Sequence, residues 1–323
     1  MTSPERETDR RQELEDVLAP VERLRPAGDR STLFLVARGA RPRQWIKNLL
    51  VFMAPAAAGV LGTWTTTVRV VGAFAVFCVV ASGTYLVNDV IDAESDRIHP
   101  NKRSRPVASG ALAPGVAVGT GIALIALGLA GAFAIGPWGF AVVVASYAGL
   151  SLAYSIRLKR EPVMELAVVA SGFVLRAVGG GVVAHVHLSN WFLVFTSFAA
   201  LFVVTGKRSA EYARLGDARG AHRSVLDDYT ETFLRSTLTI AATVTVASYC
   251  LWAFERTGLL AHAGHHVVWI ELTVIPLVLA VLHIFRLLDS GQGGEPEELA
   301  LRDHILQGYG VLWAILMGIG LYA

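Results

Sequence analysis

Charge is what this sequence has least of. Only 17% of its 323 residues are Asp, Glu, Lys or Arg, while 54% are hydrophobic, and the mean hydropathy is +0.51. Soluble domains carry about 25% charged residues. The composition therefore excludes an ordinary soluble fold and indicates a polytopic membrane protein. Cysteine is almost absent. Cys78 and Cys250 both fall in apolar segments, which reads as two buried thiols and leaves no basis for a disulfide framework or a cysteine metal site. The first thirty residues mix acids and bases without an apolar h-region. No cleavable signal peptide is expected, and residues 1–30 read as a cytosolic tail. A net charge of +2 says little by itself, its distribution says more, and no nucleic-acid partner is expected.

Long apolar runs take the place of charge. A helix needs about 20 mostly apolar residues to cross the hydrocarbon core. On that measure an all-α bundle of nine transmembrane helices is expected, near 46–61, 68–88, 112–134, 138–156, 163–184, 190–206, 233–255, 267–287 and 304–322. The first of these is short and contains Pro55. Ahead of it, LFLVARGARPRQWIKN alternates apolar and basic residues, which predicts an amphipathic helix in the membrane interface. Nearly all Lys and Arg fall in alternate loops. Arg41, Arg43 and Lys47 precede the first crossing, Lys102, Arg103 and Arg105 follow the second, and Arg157, Lys159 and Arg160 follow the fourth. Lys207, Arg208, Arg214, Arg219 and Arg223 follow the sixth. The positive-inside rule places these loops and the N-terminus on the cytoplasmic side of the inner (plasma) membrane. His185, His187, His262, His265 and His266 then face outward and read as hydrated loop residues.

Where the second crossing ends, polarity returns at once, in YLVNDVIDAESDRIHPNKRSRPVASG (85–110). Asn88, Asp92 and Asp96 are spaced i, i+4, i+8, and Asp89 is three before Asp92. On a continuing helix these side chains share one face over about two turns, with Glu94 pointing elsewhere. Carboxylates gathered on one face repel unless a cation sits between them. An oxygen-only set suits Mg²⁺, which completes its shell with water and substrate phosphate. The NDxxDxxxD pattern thus reads as a diphosphate site bridged by Mg²⁺, and Lys102, Arg103 and Arg105 are placed to hold remaining phosphate charge. An EF-hand is excluded, because DAESDRIHPNKR lacks its glycine and terminal glutamate.

A second polar set follows the fourth crossing: Tyr154, Lys159, Arg160, Glu165 and then Arg176, deep in an apolar run. Glu165 reads as a further metal ligand or a partner for Lys159. Arg176 reads as an anion-holding group in a wet cavity or as half of a buried ion pair. Gly179, Gly180 and Gly181 predict close helix packing. Lys207 and Arg208 add a third basic loop, which favours a polyanionic substrate. Lys207 and Glu211 read as an i, i+4 surface pair.

NDVIDAESD resembles the first aspartate-rich motif of the UbiA superfamily of intramembrane prenyltransferases. Where that superfamily usually carries a second such motif, this sequence offers only Glu165, with Val169 four residues on. RPRQWIKNLLVFMAP, YSIRLKREPVMEL and GKRSAE resemble, more narrowly, its decaprenyl-phosphate phosphoribosyltransferase branch, which serves cell-wall arabinan (arabinogalactan) synthesis. That resemblance implies a Mg²⁺-dependent glycosyltransferase occupying residues 31–323, with a cytosolic-facing active site. The donor would be 5-phosphoribosyl 1-diphosphate and the acceptor decaprenyl phosphate or another polyprenyl phosphate. Asp89, Asp92 and Glu165 would be the catalytic carboxylates, and Asn88, Asp92 and Asp96 would hold metal and diphosphate. Tyr154, Lys159 and Arg176 would line the cavity, with Arg43 and Lys47 at its mouth and Lys207 and Arg208 among the substrate-binding bases. Membrane lipids are expected around the chain, and a homo-oligomer is compatible with it. Two other readings stand beside this one: a UbiA-type enzyme joining a prenyl diphosphate to an aromatic acceptor in a quinone or haem pathway, and an anion transporter. Polar residues at one boundary rather than the midplane favour an enzyme over the transporter.

Overall fold

Among the described residues, eight helices are long and apolar enough to cross a membrane. The computed structural model describes residues 31–99, 101–215, 224–261, 268–290, 299 and 302–322, and every regular element among them is helical. The tail 1–30, Arg219, Arg223, His262, His265 and His266 lie outside the described residues. In chain order the helices are α1 (Thr32–Gly39), α2 (Met53–Ala57), α3 (Trp64–Ile91), α4 (Ala93–Ile98), α5 (Pro114–Ile135) and α6 (Trp138–Ile156). They continue with α7 (Met164–Val183), α8 (Asn190–Leu215), α9 (Glu231–Ala261), α10 (Val268–Leu272), α11 (Val274–Asp289) and α12 (His304–Tyr322).

The crossing expected at 46–61 takes a different form, so the long apolar helices number eight where nine are predicted. Pro42–Phe52 winds as a 3-10 helix and only Met53–Ala57 is α-helical. Pro55 explains the break, because it has no N–H to return to the Val51 carbonyl. A 3-10 winding rises about 2 Å per residue, so this pair of elements still extends roughly 30 Å. The interfacial helix expected across 33–48 is also divided. It stops after Gly39, and Arg41 turns the chain at φ 52°, ψ 61°. The residue before a proline is pushed out of the right-handed helical region, and Arg41 takes the left-handed one. The sixth expected crossing runs longer than its apolar stretch, so Lys207 and Arg208 lie on α8 and not in a loop.

Apolar side chains gain little by leaving lipid for a neighbouring helix, so close backbone contact carries much of the association. On α3 and α5, a Cβ added at Gly83 would lie 2.6 Å from the Gly121 carbonyl oxygen, and one at Gly121 would lie 2.9 Å from that of Gly83. This contact fixes the end of α3 that carries the acids. On α7, a Cβ at Gly180 would overlap the Val51 carbonyl oxygen and lie 2.7 Å from its carbon. The expected close packing at Gly179–Gly181 is therefore present: Gly180 meets the 3-10 segment, Gly179 meets Phe77 and Gly181 meets Leu188. Val51, Phe77, Phe140, Val144, Tyr147 and Val183 fill the space between that segment, α3, α6 and α7. Phe77 meets Phe140 and Tyr147 edge-on, with ring centroids 6.1 and 5.5 Å away.

Successive long helices alternate in direction. The C-terminal ends of α3, α6 and α8 thus share a side with the N-terminal ends of α5, α7 and α9, and the basic segments gather there. Trp64 and Trp138 begin α3 and α6 at the other side and are 82% and 76% exposed. Exposed Trp at a helix end fits the aromatic belt of a membrane interface. The chain is a multi-pass membrane protein.

Candidate functional site

A cavity of about 640 Å³ opens at the charged end, walled by the 3-10 segment, α3, α4, α6 and α7. Lys47, Asn88, Asp92, Asp96, Lys102, Arg105, Tyr154, Lys159 and Arg176 all line it. The helical face expected for the acids is present. Asp92 N–H donates to the Asn88 carbonyl at 2.9 Å and Asp96 N–H to the Asp92 carbonyl at 2.8 Å, so the winding carries on from α3 into α4. Asp92 itself departs from helical geometry, at φ −94°, ψ 3°. Contrary to expectation, Glu94 also lines the cavity, as does Ser95; the departure at Asp92 alters the register of the next turn.

Asp89, Asp92 and Asp96 each meet a base. Lys159 pairs with Asp92 and not with Glu165, one of the two roles expected for that carboxylate. Arg105 Nη1 donates to Asp96 Oδ2 at 2.6 Å and lies 3.3 Å from Asp89 Oδ1. Asp89, 1% exposed, also pairs with Arg41, whose guanidinium stacks 5.1 Å from the Tyr85 ring centre. Sequence reading missed Arg41 as a site residue. The available signal was a base in a helix break just before a proline, the position that turns the chain back towards α3.

Local folding explains why these bases point inward. Val107 and Leu112, 1% and 2% exposed, plug an apolar cluster with Leu35, Leu86 and Ala117. That anchors the loop after α4 and holds Arg105 over Asp89 and Asp96. Lys159 sits on a short 3-10 turn, Leu158–Arg160. Val163 closes the segment at φ 66°, an uncommon angle for a β-branched residue. Its N–H donates to Tyr229 Oη at 3.0 Å, which holds the strained turn in place.

Arg176 lies at the inner end of the cavity and is 5% exposed. Its Nε donates to Asn48 Oδ1 at 2.6 Å, Nη1 to the Gly172 carbonyl at 2.6 Å and Nη2 to Tyr147 Oη at 2.8 Å. Its guanidinium also lies 4.5 Å from the Tyr147 ring centre. All these partners are neutral. Among the described residues the buried ion pair offered by sequence is not found, and the arginine presents its positive charge to the cavity. Arg176→Lys keeps the charge but cannot reproduce three directed hydrogen bonds. Each abandoned buried group costs about 1–3 kcal/mol. The expected result is a lowered melting temperature in Arg176→Lys with partial activity, against lost activity in Arg176→Ala. Equal activities in the two would remove the role of its charge.

The remaining predicted residues lie elsewhere. Arg43 and Arg103 are exposed and outside the lining. Lys207 is half-buried on α8 and also outside it. Glu165 and Arg208 are 0% and 4% exposed and bind each other: Arg208 Nε and Nη2 donate to the two Glu165 oxygens at 2.7 and 3.0 Å. Arg208 Nη1 also donates to Glu211 at 2.7 Å. This two-pronged pair ties α7 to α8 behind the cavity wall.

Among the described residues, no three His, Cys, Asp or Glu side chains converge as a preformed metal cluster. The donor chemistry nevertheless fits a divalent cation. Asn88, Asp92 and Asp96 offer only oxygen ligands on one wall of a cavity with room for substrate and water, and Lys159 and Arg105 now supply the positive charge beside Asp92 and Asp96.

The sequence model of the UbiA prenyltransferase family matches residues 49–306. The chain belongs to this family. A UbiA homolog from Archaeoglobus fulgidus, solved bound to GPP and Mg²⁺, superposes with a TM-score of 0.64 at 19% identity, covering 88% of this chain and 98% of that one. That likeness establishes the UbiA fold. Sequence similarity is higher within one branch. The decaprenyl-phosphate phosphoribosyltransferase of Corynebacterium glutamicum is 43% identical over 289 residues, covering 88% of this chain and 86% of that protein. The enzyme of the same name from Mycobacterium tuberculosis H37Rv is 42% identical over 287 residues, covering 88% and 93%. Within the UbiA family, NDVIDAESD is thus the aspartate-rich wall of the cavity, and Lys159 and Arg176 stand across it.

Proposed function

We infer that this UbiA-family chain transfers 5-phosphoribose from 5-phosphoribosyl 1-diphosphate to decaprenyl phosphate or a similar polyprenyl phosphate, releasing diphosphate. The observation that carries the reading is identity above 40% over nearly nine-tenths of the chain to enzymes of that name. The geometry supports it. The acceptor oxygen belongs to an anionic phosphate, so its attack on C1 of the ribose needs no strong base. The C1–O bond to diphosphate breaks, and Lys159, Lys102 and Arg105 are placed to neutralise the departing group. A Mg²⁺ ion held by Asn88, Asp92 and Asp96 supplies further neutralisation when bound. Asp89 does not line the cavity and is held by Arg41 and Arg105, so in this reading it positions those bases and does not meet the ribose ring. Glu165, already engaged by Arg208, serves as a structural support in this reading. That engagement also weighs against the prenyl-diphosphate alternative, because it removes the one carboxylate standing where a second metal-binding motif is expected.

The basic segments face the cytoplasm in this reading, and the water-soluble donor arrives at the inner membrane from there. Counting the 3-10 segment with α2 as a crossing restores nine. The product is a lipid-linked pentose phosphate of the kind used in arabinan synthesis. Diphosphate release by purified protein given the ribosyl donor, decaprenyl phosphate and Mg²⁺ is the direct test. Turnover of a prenyl diphosphate with an aromatic acid, and none of the ribosyl donor, would replace this reading with the prenyltransferase one. Lys159→Gln separates the substrates. It should raise KM for the ribosyl donor more than KM for the lipid phosphate, and equal effects would detach Lys159 from the donor.

A further inference from the structure

A second hollow, of about 530 Å³, lies on the far side of α6 and α7 from the polar cavity, against α8. Leu150 lines both spaces. The two faces of α7 divide between them: Val168, Val169 and Gly172 border the cavity, while Ala167, Ser171 and Val174 border the hollow. Ser171 Oγ donates to the Ala167 carbonyl at 2.8 Å, so its hydroxyl is satisfied within the helix and the lining behaves as apolar.

The direction of the hollow is informative. On α6 it runs from Leu150 to Ser146, on α7 from Ala167 to Leu175 and on α8 from Leu201 to Ser197. Each path leads away from the charged end and into the span. The α7 path covers roughly 12 Å of depth. An apolar channel that starts beside a phosphate-binding cavity and runs along the helices suits an amphiphile with its anionic head at the boundary and its tail in the bilayer. No residue of α8 to α12 lines the cavity among those described, and Leu150, the one residue bordering both spaces, marks where they adjoin.

We propose that this hollow holds the head-proximal isoprene units of the lipid acceptor, with the chain leaving the polar cavity over Leu150. The assignment rests on the phosphoribosyl-transfer reading and adds the place of the acceptor chain. Ala167 is exposed on α7, so Ala167→Phe fills the hollow with little demand on the core, and Ser171→Phe provides a second blockade one turn on. With decaprenyl phosphate as acceptor, KM should rise about tenfold, the loss of roughly two buried methylenes. With dimethylallyl phosphate, whose single isoprene unit ends at the Leu150 rim, kcat/KM should be unchanged, and so should KM for the ribosyl donor. Equal changes for both acceptors, or no change for either, would overturn the assignment. So would a changed oligomeric mass in Ala167→Phe, which would make the hollow a contact between copies of the chain. Wild-type protein that transfers nothing to either acceptor would defeat the transfer reading itself. The hollow is then decided by binding: a diazirine-bearing polyprenyl phosphate should crosslink to residues 167–175 in wild type and not in Ala167→Phe, and absence of that crosslink in wild type would end the proposal.

Discussion

Asp92→Asn and Asp96→Asn should each lower phosphoribosyl transfer by about 10²–10³-fold, the scale seen when charge stabilisation of a departing group is removed. Both side chains line the cavity, and both lie on the oxygen-only wall that fits a divalent cation. Their structural costs differ, which makes the pair informative. Asp92 and its partner Lys159 are 21% and 20% exposed in their side chains, so solvent screens the pair and its loss should leave the melting temperature nearly unchanged. Asp96 is almost fully buried beneath Arg105. Asparagine there keeps a hydrogen-bond acceptor but loses the charge, and a destabilisation of about 1–3 kcal/mol is expected. Activity and thermal unfolding measured side by side separate chemistry from folding. Near-normal turnover in both variants would leave the metal wall without support.

Gly180→Ala should be the most damaging single-methyl change in the membrane core. The added carbon would overlap the Val51 carbonyl oxygen, and neither neighbour is a flexible side chain that can swing aside. That oxygen also lacks its ordinary helical donor, because Pro55 stands four residues on. The 3-10 segment would have to move away from α7, drawing Asn48 off Arg176 and Lys47 off the cavity mouth. Overpacking of this kind costs on the order of 3 kcal/mol, and a drop of several degrees in melting temperature with activity lost in parallel is expected. Gly149→Ala is the control, since nothing lies within 4 Å of a Cβ there. If Gly180→Ala melts like Gly149→Ala, the close contact is not holding the segment.

How much of the fold and the site was legible in the sequence depends on the kind of signal. Long apolar runs are read by composition alone, and seven of the long helices stand near their expected places and an eighth, α8, differs mainly in length. It extends because Lys207, Arg208 and Glu211 are good helix formers that continue past the apolar stretch. The acids at i, i+4, i+8 fell on the predicted wall because helical hydrogen bonding persists through Asp92. Pairings between distant segments were not legible. Arg41 with Asp89, Lys159 with Asp92 and Glu165 with Arg208 join residues 48, 67 and 43 positions apart, and no local periodicity encodes such partners. Glu94 was misplaced because a single departure from helical angles at Asp92 redirects the side chains of the next turn. The 3-10 winding at Pro42–Phe52 was hidden for a related reason: apolar content looks the same at either pitch.

The polar cavity is walled, among the described residues, entirely by side chains between Arg41 and Arg176. In genetic terms that is one uninterrupted stretch, and α8 buttresses it from outside through Arg208, which grips Glu165.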